Sequence, residues 1–215
     1  MSEELTDLQR ACRACDRCVA GGIIPFARPT FQGGAEARFL LVGQAPGPTE
    51  IEQGRPFAGR AGKELGRWMA RAGFASDEEF RRVTYLAALM RCFPGRLPSG
   101  KGDRPPPIGA VRNCASWLDA ELALLRPRVV IAVGQMAIRR FLGPGPLEER
   151  VGRTFGDDPL VLPLPHPSGQ SRWLNDPANR ERLARALAAL DEQRRLLGAD
   201  PGVPATPGSH DDRAR

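Results

Sequence analysis

The stretch GQAPGPTE (Gly43–Glu50), continued by GRPFAGRAG (Gly54–Gly62), decides how this chain folds. It follows the apolar run Phe39-Leu40-Leu41-Val42, which reads as a buried strand. A Gly/Pro-rich turn leaving the carboxyl end of a strand is where open α/β sheets hold their ligands. This turn offers an amide in Gln44, an acid in Glu50 and a ring in Phe57, set between Pro56 and Ala58. A second turn of the same kind, LPLPHPSG (Leu162–Gly169), lies near the other end of the fold. An amide and a flat ring on one loop, with an imidazole on the other, predict a pocket for a planar polar molecule.

Outward from these turns, four short apolar runs read as strands: Arg38–Gly43, Val83–Arg91, Val129–Gly134 and Leu160–Pro165. Helical spacing lies between them. Leu65, Trp68, Met69 and Ala72 share one face, and Val111, Ala115, Leu118 and Leu122 share another. A short helix is expected over Gln135–Leu142, and a terminal one carries Leu183, Leu187, Leu190 and Leu197 with arginines on its outer side. Alternating strand and helix predicts an α/β fold with a parallel sheet covered by helices on both faces. The segment Gly95–Pro107 holds too much Gly and Pro for an element and reads as a surface loop exposing Arg96, Lys101 and Arg104. The expected organisation is a single domain over residues 1–197 and a disordered polar tail over 198–215.

The net charge is +6, with arginine far more common than lysine. That balance favours an anionic partner such as nucleic acid, the alternative being that arginine is simply common in GC-rich genomes. No apolar run is long enough to cross a bilayer, and the N-terminus lacks the build of a signal peptide. The expectation is a cytoplasmic protein without a membrane partner. Five cysteines in such a setting are more often ligands or nucleophiles than disulfides. Cys12, Cys15 and Cys18 form two overlapping C-x2-C pairs, and Cys92 and Cys114 stand far downstream. Such a set can make a four-thiolate site for zinc or for an iron–sulfur cluster, and spacing does not choose between them. Alternatively, Cys92 and Cys114 are small buried hydrophobes.

Histidine is scarce: His210 falls in the tail, so His166 must supply any imidazole the chemistry needs. Several common sites are excluded. There is no G-x-S-x-G elbow, no H-E-x-x-H and no G-x-x-x-x-G-K-[ST] loop. Glu50 and Glu52 sit on one turn, which does not suit hydrolysis by two opposed acids.

GQAPG, GRPFAGRAG, the strand followed by RCFPG, the HPS triplet and the split cysteines together resemble the uracil-DNA glycosylase superfamily, its iron–sulfur family 4 type in particular. The resemblance covers roughly Cys12 to Leu190. It implies a three-layer α/β/α sandwich around a four-stranded parallel sheet, and a base-excision enzyme that hydrolyses the N-glycosidic bond of a deaminated base in DNA. It implies that Phe57 stacks on the flipped base within a pocket bordered by Gly43, Ala45 and Ala88. His166 then hydrogen-bonds the base oxygen as negative charge develops there. Pro46, Gly47, Ser168 and Gly169 are expected to pinch the phosphate backbone, with Arg172 in the segment that wedges into the duplex. The resemblance favours a [4Fe–4S] cluster on Cys15, Cys18, Cys92 and Cys114, the alternative pair being Cys12/Cys15. The protein is expected to act as a monomer.

This chain departs from the family pattern at two places. Gln44 replaces the usual family 4 glutamate, and Ala45 stands where the classical uracil enzymes place an aspartate. Gln44 can orient water but is a poor base, which leaves Glu50 as the nearby carboxylate to consider as a helper. Ala88 falls where relatives carry an asparagine that reads the uracil edge, and alanine offers no side-chain hydrogen bond. Hypoxanthine or xanthine as the substrate, or non-catalytic binding of damaged DNA, are therefore the alternatives.

Overall fold

The computed structural model describes residues 2–168 and 172–198. Helix α1 (Ser2–Arg13) and the short α2 (Arg17–Ala20) precede strand β1 (Phe39–Gly43). Helices α3 (Pro48–Gln53), α4 (Arg60–Arg71) and α5 (Asp77–Val83) lead to β2 (Thr84–Ala88). Helix α6 (Ile108–Leu125) leads to β3 (Val129–Val133), and α7 (Gln135–Leu142) with α8 (Leu147–Arg150) to β4 (Leu160–Leu164). A 3-10 turn at Arg172–Asn175 and helix α9 (Pro177–Leu196) follow.

The four strands make one parallel sheet in the order β2-β1-β3-β4. Strand side chains alternate between faces with a period of two. Phe39, Leu41, Leu86, Ile131 and Leu162 therefore join the core beneath α4 and α9. Leu40, Val42, Tyr85, Val130 and Ala132 face the opposite core, beneath α1, α6 and α7. Burial on both faces explains why these strands read as unbroken apolar runs. Among the described residues no helix is long and apolar enough to cross a membrane.

Three expectations shift. The second strand ends at Ala88, and the chain bends over Leu89–Arg91, where the Leu89 and Met90 amides donate to the Gly43 and Gln44 carbonyls at 3.0 Å each. Helix α6 buries Ala110, Cys114, Leu118, Glu121 and Leu125 most deeply, one step round from the apolar face expected through Val111, Ala115 and Leu122. The reason is Glu121, which hydropathy places outside but which takes a hydrogen bond from Arg91 and another from the Tyr85 hydroxyl at 2.9 Å. Arg194 on α9 is likewise buried rather than outward, ion-paired to Asp191 and set over the Phe74 ring. The loop after β2 closes on a bridge between Arg96 and Asp103, with Arg96, Lys101 and Arg104 exposed. The tail, apart from Gly198, lies outside the described residues.

Candidate active site and cysteine centre

The chain leaves β1 toward β2 on one side of the sheet and continues from β3 to β4 on the other. The crevice between the carboxyl ends of β1 and β3 is therefore the topological switch point, where such sheets bind ligands. Gln44 follows β1, Gly134 follows β3, and His166 lies two residues beyond β4. Gly134 has φ 85° and ψ 160°, a conformation essentially reserved for glycine. It also holds the other two residues together: a methyl group on Gly134 would sit 2.6 Å from Gln44 Nε2 and 3.3 Å from His166 Cδ2. Gln44 and His166, from sequence segments far apart, thus converge over a bare patch of backbone. Burial lowers the His166 pKa below its ordinary value, so the imidazole is neutral at pH 7.

Phe57 lies over the end of β1. Its Cζ lies 3.2 Å from where a Gly43 side chain would begin, so the ring covers the end of the strand. Its backbone is in the left-handed region at φ 53°, which a phenylalanine adopts only under constraint. Gly62 at the start of α4 supplies part of that constraint. A methyl group there would fall 1.7 Å from the Phe57 carbonyl oxygen, so only glycine lets the helix approach so closely. Arg81, half-buried on α5, makes a long 3.5 Å contact to the same oxygen while donating to Gln32 Oε1 at 2.9 Å and to Asp77 at 2.8 Å.

Glu50 is 9% exposed, and both its oxygens are committed. Oε2 accepts the Gly47 amide at 3.0 Å and Oε1 accepts the Gly59 amide at 2.7 Å. It joins the GQAPG turn to the GRPFAG turn, and to act as a base it must give up one of these bonds. Ala88 pairs with Gly43 in the sheet register and is 8% exposed. The methyl of Ala45 packs against the group formed by Cys18, Ile24, Met90, Cys92 and Ala110. Pro46 is buried and Gly47 half-buried, with the Asp103 carboxylate beside Gly47. Ser168 is half-buried, and Arg172 is exposed at the start of the 3-10 turn. Gly169 lies outside the described residues. Gly134 went unnoticed in the sequence as a site residue; its signal was a glycine closing an apolar strand, VIAVG, the same pattern as LLVG in β1.

The five cysteines are free thiols, and all of them line one cavity together with Met90, Arg91, Asn113 and Trp117. Cys18 and Cys92 share a small apolar cluster, whereas Cys12 packs into the core on the α1 side of the sheet. Burial pushes the Cys12 thiol up to about 12 and Cys92 to about 11, and raises Cys114 as well. Among the described residues no group of three or more His, Cys, Asp or Glu side chains has the geometry to hold a metal ion. The donor chemistry nevertheless suits an iron–sulfur group. The five cysteines border one space, and N–H groups already reach three of them: Asn113 Nδ2 lies 3.6 Å from Cys18 Sγ, and the Arg28 and Arg91 amides donate to Cys92 and Cys114.

The structure is a parallel α/β sheet that brings an amide, a neutral imidazole and a strained aromatic together at its switch point, the place where such sheets bind ligands. The chain belongs to the uracil DNA glycosylase superfamily, whose family model matches residues 31–191. It is similar to the type-4 uracil-DNA glycosylase of Archaeoglobus fulgidus, 28% identical over 139 residues that cover 63% of this chain and 62% of that one. The type-4 enzyme of Pyrobaculum aerophilum is 28% identical over 139 residues, covering 65% of each chain. The type-5 uracil-DNA glycosylase of the same organism is 32% identical over 120 residues, covering 51% of this chain and 50% of that one. The match spans just under two thirds of the length of these type-4 relatives.

Proposed function

We propose that this protein is a DNA-repair glycosylase that hydrolyses the N-glycosidic bond of uracil, or a related deaminated base, flipped out of DNA to leave an abasic site. The observation that carries the reading is the convergence of Gln44 and His166 over Gly134, with Phe57 lying across the end of β1. A base within a duplex is inaccessible, so the nucleotide must be extruded into a shaped pocket. The Phe57 ring offers the extruded base a stacking surface. Cleavage of the C1′–N bond leaves the sugar electron-poor and puts the bonding pair on the base. His166, neutral through burial, donates an N–H to the base oxygen as that negative charge grows. Gln44 orients the water that delivers hydroxyl to C1′, and the water's proton passes to solvent or to the departing base. An amide gives that water little basic assistance, so stabilisation of the leaving base carries more of the rate. Glu50 acts as a positioning residue that keeps the two loops in register, not as the base. Pro46, Gly47, Ser168, Gly169 and Arg172 contact the phosphate backbone on either side of the extruded nucleotide.

Cys15, Cys18, Cys92 and Cys114 are the residues that would hold a [4Fe–4S] cluster. Bound there, it would tie the α1–α2 turn, α2, the loop after β2 and α6 together as a structural pin. The pin bears on the site through Ala45, which rests on the Cys18–Cys92 group, and through the Met90 amide that holds the Gln44 carbonyl.

A second reading, hypoxanthine or xanthine as substrate, is favoured by Ala88, which leaves the β2 side of the pocket without a side-chain hydrogen bond. The deciding experiment uses labelled oligonucleotides with a single uracil, hypoxanthine or xanthine, alkaline cleavage of abasic sites, and His166→Ala in parallel. Strand breaks at uracil with wild type alone support the first reading, and breaks only at the purines support the second. DNA binding without any breaks overturns both.

A further inference from the structure

Two side chains that line the cysteine cavity carry three buried N–H groups without a hydrogen-bond partner among the described residues, although the Arg91 guanidinium also lies 5.8 Å from the Phe31 ring centroid. Arg91 Nε, Arg91 Nη1 and Trp117 Nε1 find no hydrogen-bond partner among the described residues, and both side chains line the cavity. Arg91 is 1% exposed, so solvent does not answer its donors either. Buried donors are almost always paired, and leaving them unmet is costly, so three together at one cavity point to an occupant rich in acceptors.

Neither side chain can easily turn away. Arg91 Nη2 is committed to Glu121, whose other oxygen takes the Tyr85 hydroxyl, and this fixes the guanidinium plane while leaving Nε and Nη1 over. The Trp117 indole lies under the Arg17 guanidinium at 4.7 Å, and Arg17 is held in turn by the Asn113 carbonyl and the Ser116 hydroxyl. A single metal ion bound by thiolates brings no acceptor of its own into this space. A [4Fe–4S] cluster brings inorganic sulfides as well as its thiolate sulfurs, all of which accept N–H···S bonds.

We infer that Arg91 and Trp117 are the side chains that hydrogen-bond the sulfurs of the cluster, and that they set its charge balance and reduction potential. The inference rests on the proposed cluster and goes beyond its four ligands. Donors aimed at cluster sulfurs stabilise the more electron-rich state, so they raise the potential. Arg91 adds a buried positive charge acting in the same direction.

The test begins with iron and acid-labile sulfide in anaerobically purified protein, since a preparation lacking both overturns the cluster reading and this inference with it. In loaded protein, Trp117→Phe removes one N–H while keeping the ring under Arg17, and Arg91→Lys keeps the charge while removing Nε and Nη1. The readouts are Fe–S stretching bands by resonance Raman in H2O and D2O, and the cluster potential by voltammetry. Wild type is expected to show deuterium-sensitive bands, and Trp117→Phe a smaller isotope shift with a more negative potential. Arg91→Lys is expected to move both further in the same direction. If the loaded Trp117→Phe protein matches wild type in bands, isotope shift and potential, the inference is wrong, whatever the folding of Arg91→Lys.

Discussion

Replacing Gly134 by alanine tests the geometry of the site without removing a functional group. The added methyl would lie 2.6 Å from Gln44 Nε2 and 3.3 Å from His166 Cδ2. An ordinary contact of about 3.5 Å requires the Gln44 amide to retreat by roughly 0.9 Å and the imidazole by a few tenths. The amide is the free end of a flexible side chain, so most of the steric strain is relieved by moving it and not by unfolding. The backbone adds a separate cost, since φ 85° with ψ 160° is essentially a glycine conformation, worth about 1–3 kcal/mol. For a domain of this size that corresponds to a fall in Tm of roughly 2–12 °C. Function should suffer more than stability, because a misplacement of about 1 Å at reacting groups can cost on the order of 10²-fold. The assay is base excision at subsaturating substrate well below Tm, with Gln44→Ala and the double variant completing a cycle. If Gly134→Ala acts by displacing Gln44, the double variant loses little more than the worse single one. Activity within about threefold of wild type, or losses that multiply in the double variant, would refute the reasoning.

Three further outcomes follow from the same geometry. Glu50→Gln replaces one acceptor oxygen by a donor facing the Gly47 or Gly59 amide, and should cost about 1–3 kcal/mol in denaturant melts along with activity. Unchanged stability with abolished excision would instead mark Glu50 as a base. Because burial lowers the His166 pKa, kcat/KM should run level through the ordinary histidine range near about 6.5, with any change linked to His166 protonation appearing only below it. Stability has a definite sign: below that range the unfolded chain takes up the proton that folded His166 resists, so stability drops as pH falls toward the lowered pKa. Glu121→Leu leaves the buried Arg91 charge uncompensated and should destabilise by roughly 3–5 kcal/mol in thermal or urea unfolding, far more than an exposed carboxylate such as Asp7.

Much of this protein is written locally. Period-two burial on a fully covered sheet produces continuous apolar runs, so all four strands were visible, and β1, β3 and β4 differ from expectation only at their ends. Helix α7 was legible to the residue. The turns were visible too, because Gly and Pro act through the backbone conformations they permit. Gln44, Phe57 and His166 could be named because an amide, a ring and a lone imidazole stand out in turns that follow strands. The cysteines could be grouped, and although their spacing did not choose between zinc and iron–sulfur chemistry, the family resemblance favoured a [4Fe–4S] cluster.

What the sequence did not contain is set by contacts between distant segments. The buried face of α6 turns toward Glu121 because Arg91 and Tyr85 meet it from another part of the chain, and hydropathy prices a charged residue without knowing its partner. Glu50 reads as a spare acid until the fold brings the Gly47 and Gly59 amides to its two oxygens. Gly134 looks like an ordinary strand end until the strand order places it beneath Gln44 and His166. The sequence by itself determined which segments are strands, helices and ligand-bearing turns, because those choices depend on side-chain periodicity and backbone permission within a few residues. Only the tertiary structure decided which turns share a crevice, because that depends on strand order and crossover direction, and on buried polar partners that no local pattern encodes.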